Sequence, residues 1–119
     1  MTSFKTKYPF EKRKDEADRV LQKYPRRVPI ICEKDLRSRD TPDIDRKKYL
    51  VPPDMTVAQF MYVIRGRINI MPDLSIYLFV NNTVMPASAQ LLSVLYDEQK
   101  DRDGFLYITY AGESTFGGN

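Results

Sequence analysis

Hydrophobic residues recur at helical spacing in three parts of the chain, and each part predicts a helix. In residues 9–24 the apolar positions are separated by three, four or seven residues, and Pro25 ends the pattern. Thr56 begins a capping-box sequence, so we expect a second helix that starts there and covers residues 57–68. Ser88 is expected to cap a third helix, which carries a further apolar stripe.

Short apolar runs predict four strands, which occupy residues 28–33, 48–52, 75–80 and 105–110. The first two runs enclose a polar segment and are expected to form a hairpin. The third run is nearly continuous in apolar residues, so we expect a central, buried strand. Pro29 has no amide hydrogen, which places it at a sheet edge or at the start of a strand.

The predicted elements follow one another as a helix and then β-β-α-β-α-β. From residue 28 onward this is a ubiquitin-like order, in which a mixed sheet is crossed on one face by the helix at 57–68. Other α+β folds share much of this order, so the order alone leaves the fold open.

Composition changes the picture by excluding most catalytic chemistry. The 119 residues, 42% of them hydrophobic, are expected to form one domain. The chain has no histidine and a single cysteine, Cys32, which excludes zinc sites, cysteine–histidine catalysis and serine–histidine–aspartate triads. The five glycines are too scattered to form a phosphate-binding loop. We therefore expect no enzyme, no metal and no cofactor.

The sequence also bounds the compartment. It contains no apolar run of membrane-spanning length, and its N-terminus lacks the apolar stretch of a secretory signal. A lone cysteine allows no intrachain disulfide, which favours a reducing compartment such as the cytosol or the nucleus.

Charge is distributed unevenly along the chain. Residues 1–27 contain nine basic and four acidic residues, whereas the remainder contains ten basic and twelve acidic residues. A basic N-terminal part can serve an anionic surface, an acidic peptide or nucleic acid, or can simply be a solvated helix face. The basic residues are not interleaved with stacking aromatic residues, so nucleic acid is not the expected partner.

Several dispersed motifs resemble one family. They are residues 9–13 (PFEKR), 24–29 (YPRRVP), 48–52 (KYLVP), 79–82 (FVNN), 106–108 (LYI) and 113–117 (ESTFG). Their order and spacing are similar to those of the ubiquitin-like autophagy modifiers, the family of autophagy-related protein eight, the GABA-receptor-associated protein and microtubule-associated light chain three. The resemblance covers essentially the whole chain.

The resemblance implies an α+β fold, a ubiquitin-like β-grasp with a four-stranded mixed sheet and two extra N-terminal helices. The first of these helices is expected near residues 3–8. Residues 1–27 would then be a helical extension packed on the core, 28–111 the ubiquitin-like core, and 112–119 a flexible conjugation tail.

Proteins of this family are not enzymes, and they act after conjugation to a lipid. A cysteine protease trims the tail, and activating and conjugating enzymes then join a C-terminal glycine to phosphatidylethanolamine. The conjugate is a lipid-anchored peripheral protein of autophagosome membranes, and the free protein is cytoplasmic. Matching of positions favours Gly117, behind the recognition residue Phe116, as the acceptor. Gly118 is the minority alternative, because the family usually has a single glycine there.

The resemblance also implies a groove that binds receptors carrying aromatic-x-x-aliphatic motifs by adding a strand at residues 48–51. Its aromatic pocket would use Glu16, Val20, Pro29, Ile31, Lys48, Leu50 and Phe105. Its aliphatic pocket would use Tyr49, Val51, Pro52, Met55, Phe60 and Val63. Arg27, Arg46 and Lys47 would meet acidic residues that flank the motif. Val20, Ile31, Val63 and Phe105 could instead be core residues. An alternative function is a non-conjugated trafficking or cytoskeletal adaptor that uses the same groove.

Overall fold

A computed structural model describes residues 3–113 of the chain. The helices are α1 (Phe4–Lys7), α2 (Phe10–Lys23), α3 (Val57–Ile68) and α4 (Leu92–Gln99). The strands are β1 (Val28–Lys34), β2 (Lys48–Val51), β3 (Ile76–Val80) and β4 (Leu106–Gly112). The expected helices near 3–8, 9–24 and 57–68 are therefore present, and so are all four expected strands.

Side-chain caps start two of the helices. Ser3 Oγ accepts a hydrogen bond from the Thr6 amide at 3.2 Å at the start of α1. At α3 the Gln59 amide donates to Thr56 Oγ1 at 3.1 Å, while the Gln59 side chain accepts from the Thr56 amide at 2.9 Å. The predicted capping box is therefore confirmed. Helix α3 ends at Asn69, whose φ of 53° is a left-handed conformation that asparagine tolerates.

The prediction that Ser88 caps the last helix is wrong. Helix α4 begins only at Leu92 and has no side-chain cap at its start. The Ser88 carbonyl accepts a hydrogen bond from the Ala58 amide at 2.9 Å, and the Gln90 carbonyl accepts one from the Val57 amide at 3.0 Å. This segment thus supplies acceptors for the free amides in the first turn of α3, and its backbone is committed before α4 can begin.

The strands form one sheet in the order β2-β1-β4-β3. Strand β1 pairs antiparallel with β2, which confirms the expected hairpin, and parallel with β4; β4 pairs antiparallel with β3. The parallel ladder between β1 and β4 begins at Ile30. Pro29 precedes that ladder, so its missing amide hydrogen costs the sheet no bond and its place at a strand start is as predicted.

The expectation that residues 75–80 form a central strand is wrong, because β3 lies at an edge of the sheet. It is nevertheless buried at four of its five residues. The continuous apolar run reflects the burial of both strand faces, and it carries no information about which strand edges are paired.

Strand β4 continues to Gly112, which the sequence assigned to the tail. Gly112 pairs with Ile76 and donates its amide hydrogen to Ser38 Oγ at 3.2 Å. The carboxylate of Asp40 occupies the space that a Cβ at this position would need, which explains why a glycine stands here. The rest of the predicted tail after Glu113 lies outside the described residues.

Two hydrophobic clusters lie on opposite faces of the sheet. The larger one packs α3 and α4 against the sheet and includes Phe60, Ile64, Leu92 and Ile108. The smaller one lies beneath α1 and α2 and consists of Phe4, Ala17, Ile31, Phe105 and Tyr107. The N-terminal helices are therefore packed on the sheet through their own apolar side chains.

Candidate peptide-docking groove

Strand β2 is an edge strand, and the outer side of its backbone faces no other strand of the sheet. The Cys32 amide donates to the Lys47 carbonyl at 2.8 Å, and this register continues along the hairpin. Because bonded and non-bonded pairs alternate in an antiparallel ladder, the backbone groups of Lys48 and Leu50 point away from β1. The Arg27 guanidinium lies 3.5 Å from the Leu50 carbonyl. At the outer edge of β2 an added strand can therefore bond the backbone groups of Lys48 and the Leu50 amide, whereas at the Leu50 carbonyl it would have to displace Arg27.

The side chains of the predicted aromatic pocket divide between a surface ion pair and the core. Lys48 Nζ lies 2.7 Å from the carboxylate of Glu16 on α2. Val20 follows one turn after Glu16 and is half-buried. Ile31 and Phe105 are both buried in the smaller cluster. The core alternative that the sequence left open is therefore observed for these two residues, and they could reach a ligand only as the floor of the pocket.

Two further members of this set lie opposite each other in the hairpin. Pro29 pairs with Leu50 in the register of β1 and β2. Pro29 is fully buried, whereas Leu50 is half-buried. Pro29 and Leu50 therefore extend the floor of the proposed aromatic pocket along the β1–β2 hairpin.

The predicted aliphatic residues lie around the end of β2 and the start of α3. A cavity of about 430 Å³ is lined by Pro52, Asp54, Met55, Gln59, Tyr62 and Val63. Val51 and Phe60 are buried in the larger cluster beneath it. Tyr49 packs edge-on against Phe60, with ring centroids 5.5 Å apart. The structure thus brings Pro52, Met55 and Val63 to one cavity and places the other three residues in its supporting layer.

Sequence reasoning missed three residues of this wall, namely Asp54, Gln59 and Tyr62. Gln59 and Tyr62 lie three residues apart on α3, and Tyr62 precedes Val63. Residues three or four apart share one helix face, so helical spacing from Val63 was the signal that could have found Gln59.

The predicted basic residues lie at the two ends of β2. Arg46 and Lys47 line a cavity of about 500 Å³ together with Phe4, Lys7, Tyr8, Asp45 and Lys48. Arg27 lies beside Leu50, toward the other end of the strand. Lys7 was not among the predicted residues, because nothing in the sequence indicated that α1 folds back beside β2.

Burial changes the acid–base behaviour of two side chains near the groove. It raises the pKa of Tyr49 to about 12, so this hydroxyl stays neutral and donates to the Arg46 carbonyl at 2.9 Å. Burial also raises the pKa of the Cys32 thiol far above its ordinary value. Cys32 therefore holds its proton and is not an activated nucleophile.

Two structural features are absent from residues 3–113. No group of histidine, cysteine, aspartate or glutamate side chains there could hold a metal ion. No helix in this range is long and apolar enough to cross a membrane. The predicted tail residues Phe116, Gly117 and Gly118 lie outside the described part of the chain.

A mixed four-stranded sheet with α3 packed across one face is the β-grasp of ubiquitin-like proteins, as the sequence predicted. The family model described as "Autophagy protein Atg8 ubiquitin like" matches residues 12–117. Autophagy-related protein 8 of Vanderwaltozyma polyspora is 57% identical over 98% of this chain and 97% of its own length. The Mycosarcoma maydis protein of the same name is 58% identical with the same coverage.

Solved structures agree with the sequence comparisons. The crystal structure of Trypanosoma brucei ATG8 superposes with a TM-score of 0.87 at 43% identity, covering 98% of this chain and 99% of that one. The chain therefore belongs to the Atg8 family of ubiquitin-like autophagy proteins. The resemblance stated from the motifs is confirmed, and so is the role in autophagy that it implies.

Proposed function

We propose that this protein is a ubiquitin-like modifier that is joined through Gly117 to phosphatidylethanolamine and acts in autophagosome formation. In the same proposal it docks receptors that carry aromatic-x-x-aliphatic motifs. The observation that carries the docking proposal is the edge strand β2, whose outward backbone groups at Lys48 and Leu50 lie between two separate side-chain sites.

The positions of these two sites give the bound peptide a direction. The aromatic residue would enter beside the Glu16–Lys48 pair at the start of β2. The aliphatic residue would fill the cavity at Pro52 and Met55, just beyond the end of the strand. The peptide would then run parallel to β2, and acidic residues before its aromatic anchor would meet Arg46 and Lys47.

Conjugation is proposed at Gly117 because the family match ends there and Phe116 precedes it. Glycine has no Cβ, so an extended tail can enter a narrow enzyme cleft and present its carbonyl group. A lipid with two acyl chains gives stable anchoring, where one chain would be marginal. Residues 1–27 would serve as a helical extension, 28–112 as the core, since β4 runs to Gly112, and 113–119 as the conjugation tail.

The chemistry of conjugation would lie in the partners. A cysteine protease would expose the glycine, and activating and conjugating enzymes would carry it to the lipid amine. This chain would be their substrate and would catalyse none of these steps. It would move from the cytoplasm to the autophagosome membrane as a lipid-anchored peripheral protein.

The mass of the C-terminal peptide from membrane-bound protein tests the proposal directly. Cells would express the full chain with an N-terminal tag, and Gly117→Ala would serve as the control. We expect a peptide that ends at Gly117 and carries phosphatidylethanolamine, and none from the variant. A peptide lipidated at Gly118 would support the same function, with Gly118 and not Gly117 as the acceptor. An intact Asn119 in every fraction during induced autophagy would contradict conjugation and favour the non-conjugated adaptor.

A further inference from the structure

One oxygen of Glu33 is shared by two separate parts of the chain. Glu33 Oε2 accepts a hydrogen bond from the Phe4 amide of α1 at 2.9 Å. The same oxygen lies 3.1 Å from Lys47 Nζ, in the segment that leads into β2. The carboxylate is only 15% exposed, so this ion pair is shielded from solvent more than a surface pair would be.

Lys47 lies between two surfaces of different charge. On one side it lines a cavity of about 550 Å³ in which charges of both signs are balanced, with Glu33, Asp35 and Asp43 beside Lys34, Arg37 and Lys47 itself. On the other side it lines the cavity of about 500 Å³ that holds Lys7, Arg46 and Lys48. The Lys47 side chain is 37% exposed, so its ammonium group can reach solvent and a ligand.

The second cavity attracts anions. The acidic residue that lines it is Asp45, whose carboxylate oxygens lie 3.2 and 3.3 Å from Nη2 of Arg67. A carboxylate of a docked peptide that enters this cavity would meet cations on several sides. It would also compete with Glu33 for Lys47, because the negative charge of Glu33, 3.1 Å away, already offsets the charge of the ammonium group.

We infer that Glu33 is an internal competitor for Lys47 and sets the selectivity of the groove for acidic flanking residues. The Phe4 amide positions the competitor, because it holds Glu33 Oε2 in place on the side of α1. Glu33 thereby lowers the affinity for motif peptides with an acidic flank and leaves the affinity for neutral flanks unchanged. This inference rests on the proposed docking of motif peptides at β2.

The test compares two peptides with the same aromatic and aliphatic anchors, one with aspartates before the aromatic residue and one with asparagines. Their dissociation constants are measured by calorimetry against the full chain. In Glu33→Gln the amide oxygen can still accept from the Phe4 amide, but the negative charge is lost. We expect the aspartate peptide to bind about two- to fivefold more tightly, and the asparagine peptide to bind as before.

Asp43→Asn is the matched control. It removes one negative charge from the cavity of about 550 Å³ that Glu33 also lines. The Asp43 carboxylate, however, lies beside Lys34, with Oδ1 3.7 Å from Nζ of that lysine. Asp43→Asn should leave both peptides unchanged. In a Lys47→Gln background, Glu33→Gln should leave the affinities for both peptides unchanged, because the ammonium group for which Glu33 competes is no longer present.

The outcomes separate this inference from the proposed function. If wild-type protein binds both peptides but Glu33→Gln and Asp43→Asn strengthen the aspartate peptide equally, long-range charge is the cause and the inference fails alone. An equal gain for both peptides in Glu33→Gln would also overturn it. If wild-type protein binds neither peptide, the proposed docking function fails, and this inference fails with it.

Discussion

Lys48 and Glu16 join the edge strand to the second helix, with Lys48 Nζ 2.7 Å from the Glu16 carboxylate. The two side chains are 53% and 29% exposed, so the pair is screened by solvent. Exposed ion pairs contribute at most about 1 kcal/mol to stability. The main consequence of this pair is therefore positional, because it sets one charge of each sign at the entrance to the proposed aromatic pocket.

Asp103→Asn is expected to destabilise the fold far more than the loss of any surface pair. Asp103 is fully buried, lies 2.6 Å from Nη1 of Arg13 and accepts from the Tyr107 hydroxyl at 2.5 Å. The substitution removes the nearer countercharge of Arg13, which is only 11% exposed, and leaves it only Asp101 at 4.0 Å. We expect a loss of about 3 kcal/mol in the free energy of unfolding, measured in urea.

Asp18→Asn is the control for this prediction, because its pair with Lys14 is about half exposed on both sides. It should change the free energy of unfolding by less than about 0.5 kcal/mol. Equal effects of the two substitutions would mean that the Arg13–Asp103 pair does not hold α2 in place.

Gly66→Ala is expected to stabilise the protein. Gly66 lies inside α3, and a Cβ built there meets no atom within 4 Å. Alanine should raise the free energy of unfolding by about 1 kcal/mol. Gly104→Ala should act in the opposite direction, because Gly104 has a φ of 97° and its Cβ would lie 2.9 Å from that of Ala17. Thermal unfolding should show a higher midpoint for Gly66→Ala and a lower one for Gly104→Ala than for the wild-type protein. A loss of stability in Gly66→Ala would contradict the prediction for that residue.

Cys32 is expected to resist thiol reagents in the folded protein. It is fully buried in β1, and burial raises the pKa of its thiol, so the thiolate is scarce at neutral pH. A disulfide reagent at pH 8 should label the native chain orders of magnitude more slowly than the chain in denaturant. Rapid labelling of native protein would show that β1 opens or that the thiol is accessible.

Stability is expected to fall in strong alkali, in part because of Tyr49. Burial raises its pKa from 10.0 to about 12 in the folded protein. The unfolded chain therefore loses this proton first, so the stability that Tyr49 contributes is full below pH 10 and is lost as the pH rises to about 12. The free energy of unfolding, followed over this range, should fall less steeply in Tyr49→Phe. An unchanged slope in the variant would mean that Tyr49 ionises equally easily in both states.

Much of the fold could be predicted from the sequence because local signals coincide with tertiary structure. Thr56 and Gln59 specify the start of α3 through their own side chains. The failures have a different origin. Ser88 has the right chemistry for a cap, but its carbonyl accepts a hydrogen bond from the Ala58 amide. That bond depends on how this segment packs against α3, which the local sequence does not indicate. Likewise β3 has the apolar pattern of a buried strand, and pairing alone decides that it lies at an edge.

The candidate site could be predicted less completely, because it is assembled from distant parts of the chain. The family resemblance supplied a set of residues, but it did not indicate that Lys7 would lie in one cavity with Arg46. It also did not distinguish lining residues such as Met55 from buried ones such as Phe60. Those distinctions depend on how helices pack on the sheet, and periodicity contains no information about that.

Leu50→Pro tests whether a peptide docks by strand addition. The amide hydrogen of Leu50 points away from β1, so proline there removes a donor from the free edge and none from the hairpin. Leu50→Ala removes the same side chain and keeps the donor, which makes it the matched reference. We expect Leu50→Pro to bind a motif peptide about fivefold more weakly than Leu50→Ala, the cost of one lost hydrogen bond.

Proline at the neighbouring residue, Tyr49, is expected to affect the stability of the hairpin. The Tyr49 amide points toward β1, where Tyr49 pairs with Ile30, so Tyr49→Pro should reduce the free energy of unfolding. Leu50→Pro should be about as stable as Leu50→Ala. If Leu50→Pro and Leu50→Ala bind the peptide equally, the peptide does not use the edge of β2 as a backbone partner. The two side-chain sites would then have to hold it without an added strand.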